Sequence, residues 1–153
     1  MSVSLSDWLA NRWISAHEPN VQEIADLFTV VDRDLADASV PRLSADWRLG
    51  ISYNAALQLA TLALMAEGYR PGRERAHERA LLSLRDTVGL DAKRVMLLDA
   101  VRRKRNQINY ELAGSTSAAE AADFYDVVTT LRGDVVRWLR KKHPRLCPPS
   151  VKA

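Results

Sequence analysis

The chain has 153 residues, 47% of them hydrophobic and 27% charged, with 22 Lys and Arg against 19 Asp and Glu. That composition excludes a disordered chain, and the length suits one domain burying roughly 70% of its unfolded surface. A single cysteine, Cys147, excludes an internal disulfide framework and a cysteine-rich zinc site. The start, MSVSLSDWLANRW, lacks the basic lead and apolar stretch of a signal peptide. The most apolar run, Ala55 to Ala66, is too short to span a bilayer. The expectation is a soluble, cytoplasmic domain over 1–146 with no membrane contact, and a disordered tail at 147–153.

Helical signals follow one another along the chain. Ser4 or Ser6 caps a short helix over Ser4–Trp13. After the break at His17-Glu18-Pro19-Asn20, a second helix runs to about Ala38. In it Val21, Ile24, Ala25, Phe28, Val31 and Leu35 recur at helical intervals. Ser44 opens a third helix that runs through Glu67 and stops at Gly68. It is apolar on nearly every side from Ile51 to Ala66, which places it at the centre of the fold. Pro71-Gly72 starts a fourth helix, stopped by Gly89, with Ala76, Ala80, Leu81, Leu84 and Val88 facing inward. Asp91 caps a fifth that continues to about Leu112. A Gly-Ser-Thr-Ser turn at 114–117 precedes the sixth, from Ala118 to Lys142. Lys141, Lys142 and His143 at its end complement the helix dipole. No period-two strand pattern competes. The expected fold is all-α, an antiparallel bundle of four to five main helices plus a short N-terminal helix.

The net charge of +3 conceals blocks. Residues 1–69 carry a net −5, residues 70–105 a net +6, residues 106–130 a net −4 and residues 131–145 a net +5. A basic face of this kind attracts nucleic acid, and it equally suits an acidic protein partner. Walker loops, GxGxxG, HExxH and GxSxG are absent, and the three histidines lie far apart in sequence. Neither a metal nor another cofactor is expected. Asp32, Asp34 and Asp37 crowd one region without a Glu-x-x-His motif and read as a charged helix face. Trp8, Trp13, Trp47 and Trp138 read as core or interface anchors.

The segment Val101-Arg-Arg-Lys-Arg-Asn-Gln-Ile-Asn-Tyr-Glu111 stands out. Leu97, Val101, Ile108 and Leu112 fall on one apolar stripe at helical pitch, while Arg102, Asn106 and Tyr110 are successive i, i+4 neighbours beside it. Arginine forks suit phosphate, and amides or a phenol supply hydrogen bonds or base stacking. Arg102, Arg103, Lys104, Arg105 and Asn109 are therefore candidate phosphate or nucleic-acid contacts. The same residues are also compatible with a solvated face that ends in a tyrosine at the bundle edge.

The chain resembles the HEPN superfamily of helical-bundle domains over about residues 45–142. Tyr53-Asn54-Ala55-Ala56 in the central helix carries the resemblance, with the helix end Ala66-Glu67-Gly68-Tyr69-Arg70-Pro71. His77 follows in the next helix, with Leu81 and Leu84 behind it, and then Arg105-Asn106 at the R-x4–6-H motif, here R-N-Q-I-N-Y. The resemblance implies a homodimer with a composite ribonuclease site, in which a ribose 2′-hydroxyl attacks the adjacent phosphate. Arg105 is then implied to bind or polarise phosphate and Asn106 to orient it. Tyr110 takes the place of the motif histidine; His77 and Tyr53 are candidates to line the same cleft, and His77 is also read as a hydrogen-bonded histidine between helices. A phenol, with a pKa of about 10, is a poor proton acceptor near neutral pH, where an imidazole is a good one. Members with this feature are similar to partners of small nucleotidyltransferases. The resemblance thus implies binding of RNA or of a nucleotidyltransferase-type partner, within a toxin–antitoxin or defence pair. An active metal-independent endoribonuclease and a purely structural dimerisation module are the alternatives.

Overall fold

Residues 4–108 and 114–152 are described by the computed structural model. Their elements in order are α1 (Leu5–Ala10), β1 (Ile14–Ala16), α2 (Val21–Ala38), α3 (Ala45–Ala66) and β2 (Tyr69–Pro71). There follow α4 (Ala76–Ser83), α5 (Ala92–Ile108), α6 (Ala118–Lys142) and a 3-10 turn at Pro144–Leu146. The described residues are thus mostly helical, as the sequence leads one to expect.

The helices begin where short polar side chains satisfy the free backbone donors. Ser4, Asn20 and Ser117 form capping boxes with Asp7, Glu23 and Glu120, and Ser44 caps α3 through the Trp47 amide. Gly68, at φ 95°, stops α3 in the left-handed conformation that glycine adopts without steric cost. Between these ends α3 is the axis of the fold, with Ala55, Leu59, Ala60, Leu62 and Ala63 all at 0% exposure. Its mean hydropathy of 1.3 reaches that of a bilayer-crossing helix, but 72% of that stretch is buried by its neighbours. The helices α2 and α6 pack along it, and α4 and α5 cover another side. Asn54 of α3 donates to Asp34 of α2 at 2.6 Å, which satisfies a carboxylate only 5% exposed. Arg132 of α6 reaches Asp32 at 2.6 Å and stacks over Phe28. Asp32 thus ties α2 to α6 from the charged face, whereas Asp34, expected on that face, is a buried tie to α3.

Several local expectations are corrected. A two-stranded antiparallel sheet, unforeseen in the sequence, pairs Ile14 with Pro71 and Ala16 with Tyr69. The first helix stops at Ala10, because Arg12 at φ 61° turns the chain into β1. The fourth helix starts at Ala76, since Pro71 is used by β2 and the Gly72 amide donates to the Trp13 carbonyl at 2.8 Å. It also ends at Ser83, well before Gly89. Leu97 is 40% exposed, and the buried face of α5 is built on Val95, Leu98 and Val101. The segment after Cys147 packs in place of the expected disorder: Val151 is 6% exposed, and its carbonyl accepts from Arg140 at 2.6 Å. Trp47, expected in a core or an interface, is 68% exposed on the single chain.

Candidate functional site

The cationic run of α5 is divided by its pairings. Arg102 and Arg103 both turn to Asp99, at 2.8 and 3.4 Å, and Lys104 reaches Glu120 at 2.6 Å. Arg105 takes a different direction because it follows Val101 by one helical turn and so shares the inward face. Its guanidinium lies 5.2 Å from the centroid of the Tyr53 ring, a cation–π contact. Its Nε stands 3.8 Å from where a Cβ on Gly50 would be, an ordinary packing distance that places the side chain against the first half of α3. Among the described residues Arg105 has no carboxylate partner. Asn106 is exposed beside it. Asn109 and Tyr110 lie outside the described residues.

Tyr53 links this arginine to α4. The ring is 1% exposed, and its hydroxyl is 3.4 Å from Nδ1 of His77 in the first turn of α4. Burial pushes the Tyr53 phenol up from its ordinary range, against the opposing pull of Arg105 and Arg102. Partial burial lowers the His77 pKa, and the charges of Arg105 and Arg102 push it the same way. The imidazole is therefore neutral at pH 7 and able to accept a proton.

A cleft of about 520 Å³ opens beside this pair, lined by Arg73, Arg75, Ala76, His77, Glu78 and Arg102. Arg75 is held by Glu78 at 2.8 Å, and Arg102 by Asp99. Arg73 is exposed, and among the described residues it has no ion-pair partner. The cleft thus combines three guanidinium groups with an imidazole. A second hollow of about 580 Å³ lies between α2, α3 and β2, with Leu27 and Met65 beside Glu23 and Asp26. Arg70 also lines it and His17 engages Glu23 at 2.6 Å, so charges of both signs meet there. Of the residues singled out in the sequence, the fold brings Arg102, Arg105, Tyr53 and His77 together. It directs Arg103 and Lys104 elsewhere. Arg73 and Arg75 were missed; the available signal was the dense charge of Arg70–Arg79, read there only as part of a basic block.

The chain beyond α5 is fastened to the same end of α3. Asp46 accepts from the Gly114 amide at 2.5 Å and from the Thr116 amide at 3.3 Å. The Gly114 bond in particular holds its carboxyl below the usual range. Among the described residues no cluster of three or more His, Cys, Asp or Glu is placed to hold a metal ion. No family model, curated protein or solved structure matches the chain.

Proposed function

We propose that this helical bundle binds RNA through the cleft between α4 and α5, as the HEPN-like residues imply, working as a homodimer or beside a nucleotidyltransferase-type partner in a defence or toxin–antitoxin pair. One observation carries the reading: Arg73, Arg75 and Arg102 converge with His77 on one cleft, and Arg105 lies over Tyr53 next to it. Guanidinium forks bind phosphate oxygens in pairs, and a strand laid along them releases its counterions. Anisotropy titration of a labelled single-stranded RNA at several salt concentrations tests this. Affinity is expected to fall linearly on a double-logarithmic salt plot. Arg102→Ala and Arg105→Ala are each expected to reduce that slope by about 0.7. Absence of binding at low salt, or unchanged slopes in both variants, contradicts the proposal.

The position of His77 favours a second reading, metal-independent RNA cleavage at the same cleft. In it the 2′-hydroxyl loses its proton to His77 and attacks the neighbouring phosphorus, a 2′,3′-cyclic phosphate forms as the bond to the 5′ oxygen breaks, and that oxygen takes a proton from water. Because burial and the nearby guanidinium charges lower the His77 pKa, the base form prevails at pH 7 and is lost only as the pH falls below the ordinary imidazole range. Cleavage is then expected to be full at neutral pH, to fade in acid, and to disappear in His77→Gln. Equal background in wild type and His77→Gln removes this reading and leaves the binding one intact.

A further inference from the structure

We infer that Trp47 is a stacking platform for an unpaired base of a single-stranded nucleic acid whose phosphate is held at Arg105; this rests on the RNA-binding reading above. Four tryptophans occur in the chain, and three are occupied. Trp8 is 1% exposed in the N-terminal cluster, and Trp13 carries the Arg79 guanidinium 4.3 Å from its ring centroid. Trp138 meets the His143 ring edge-on, with centroids 5.3 Å apart. Trp47 is 68% exposed, and among the described residues no aromatic ring or guanidinium lies against it.

Its location gives the open indole a use. Trp47 is one turn before Gly50 on α3, and the Arg105 side chain passes over Gly50 on its way to Tyr53. Positions i and i+3 of a helix are about 5–6 Å apart at Cβ, so one nucleotide can touch the guanidinium and the indole together. Asp46, the preceding residue, is fixed by the Gly114 and Thr116 amides, which holds the first turn of α3 in place. The helix cap at Ser44 anchors the same turn through the Trp47 amide. A solvent-facing indole on a fixed helical turn, beside an arginine, supplies what single-strand recognition needs: a π face for the base and a cation for its phosphate. A duplex keeps its bases stacked on each other and offers the indole nothing.

The test uses the full chain with a short single-stranded oligoadenylate, the same strand annealed into a duplex, and inorganic polyphosphate as a backbone without bases. Trp47→Ala is expected to weaken single-strand binding about 5- to 100-fold. Trp47→Phe is expected to keep most of the affinity, and binding of polyphosphate is expected to be the same in all three proteins. Tryptophan emission is expected to be quenched by the single strand in wild type and much less in Trp47→Ala. If Trp47→Ala binds the single strand as wild type does while Arg105→Ala binds it weakly, the stacking inference fails and the cleft reading survives. If Arg102→Ala and Arg105→Ala also bind as wild type does, both fail. A change of sedimentation in Trp47→Ala without a change in strand affinity makes the indole a protein contact and overturns the inference. Because Trp47 is exposed, an unaltered circular dichroism melt is the expected folding control.

Discussion

Tyr53→Ala is expected to reduce folding stability by about 3–5 kcal/mol, measured by urea denaturation. The ring is 1% exposed within the main core cluster, on the helix that every other helix of the bundle proper packs against. Truncation removes the transfer free energy of an aromatic ring and leaves a cavity that α3, held on several sides, has little freedom to fill. It also takes away the surface under the Arg105 guanidinium, so the cationic group loses its orientation along with the core. Tyr53→Phe separates the two roles. It keeps the ring and removes only a hydroxyl engaged at 3.4 Å, so its expected cost is below about 1 kcal/mol. A loss under 1 kcal/mol for the alanine variant contradicts the packing described for α3.

Gly72→Ala has the second largest expected effect, a loss of about 1–3 kcal/mol from one methyl group. A Cβ at this position falls 2.7 Å from the Trp13 carbonyl oxygen and 3.1 Å from that of Arg12. Both obstacles are main chain, so no side-chain rotation relieves the clash. The strain is steric, because the Gly72 amide must stay close enough to donate to the Trp13 carbonyl. Either that bond lengthens or β1 moves away from β2. For a domain of this size each kcal/mol lowers the melting temperature by roughly 2–4 °C, which differential scanning calorimetry resolves. An unchanged melting temperature means that the two strands separate at no cost, contrary to the pairing observed.

The sequence revealed the helices well and the site only in part, and the difference has a physical origin. The ends of α2, α3 and α6 follow from local capping chemistry at Asn20, Ser44, Gly68 and Ser117, which is written in neighbouring residues. The central place of α3 follows from an apolar composition with no polar face. The strands β1 and β2 are three residues each, too short to display a period of two, and their partners are distant in sequence. Their formation also removed the first turns of the expected fourth helix. Residue types and spacing leave Arg105 as one cation in a run of four, and only the resemblance of R-N-Q-I-N-Y to a motif sets it apart from Lys104. What it faces is the Tyr53 ring across the bundle, a partner far away in sequence that no local pattern names. Leu97 was misplaced for a related reason: an apolar residue next to the buried stripe resembles a member of it, and only the neighbouring helices decide. The cleft itself joins the start of α4 to the middle of α5, and no spacing rule connects the two.

The pairing of β1 with β2 also constrains the order in which the chain can assemble. Joining Ile14 to Pro71 closes a loop that contains all of α2 and α3. That closure costs less entropy once the helical pair, whose contacts join near neighbours in sequence, has already shortened the loop. The reverse does not hold, because β2 begins only after α3 ends and Leu64 of α3 is the floor on which Trp8 and Ile14 rest. The N-terminal segment is therefore expected to exchange its amide hydrogens ahead of α3 in native-state hydrogen exchange. Residues Arg73 and Arg75 follow directly from β2, so undocking of residues 4–16 is expected to loosen one wall of the basic cleft while α5 keeps the other. The stability of the N-terminus and the shape of the cleft are in this way thermodynamically linked, although no residue of α1 or β1 lines it.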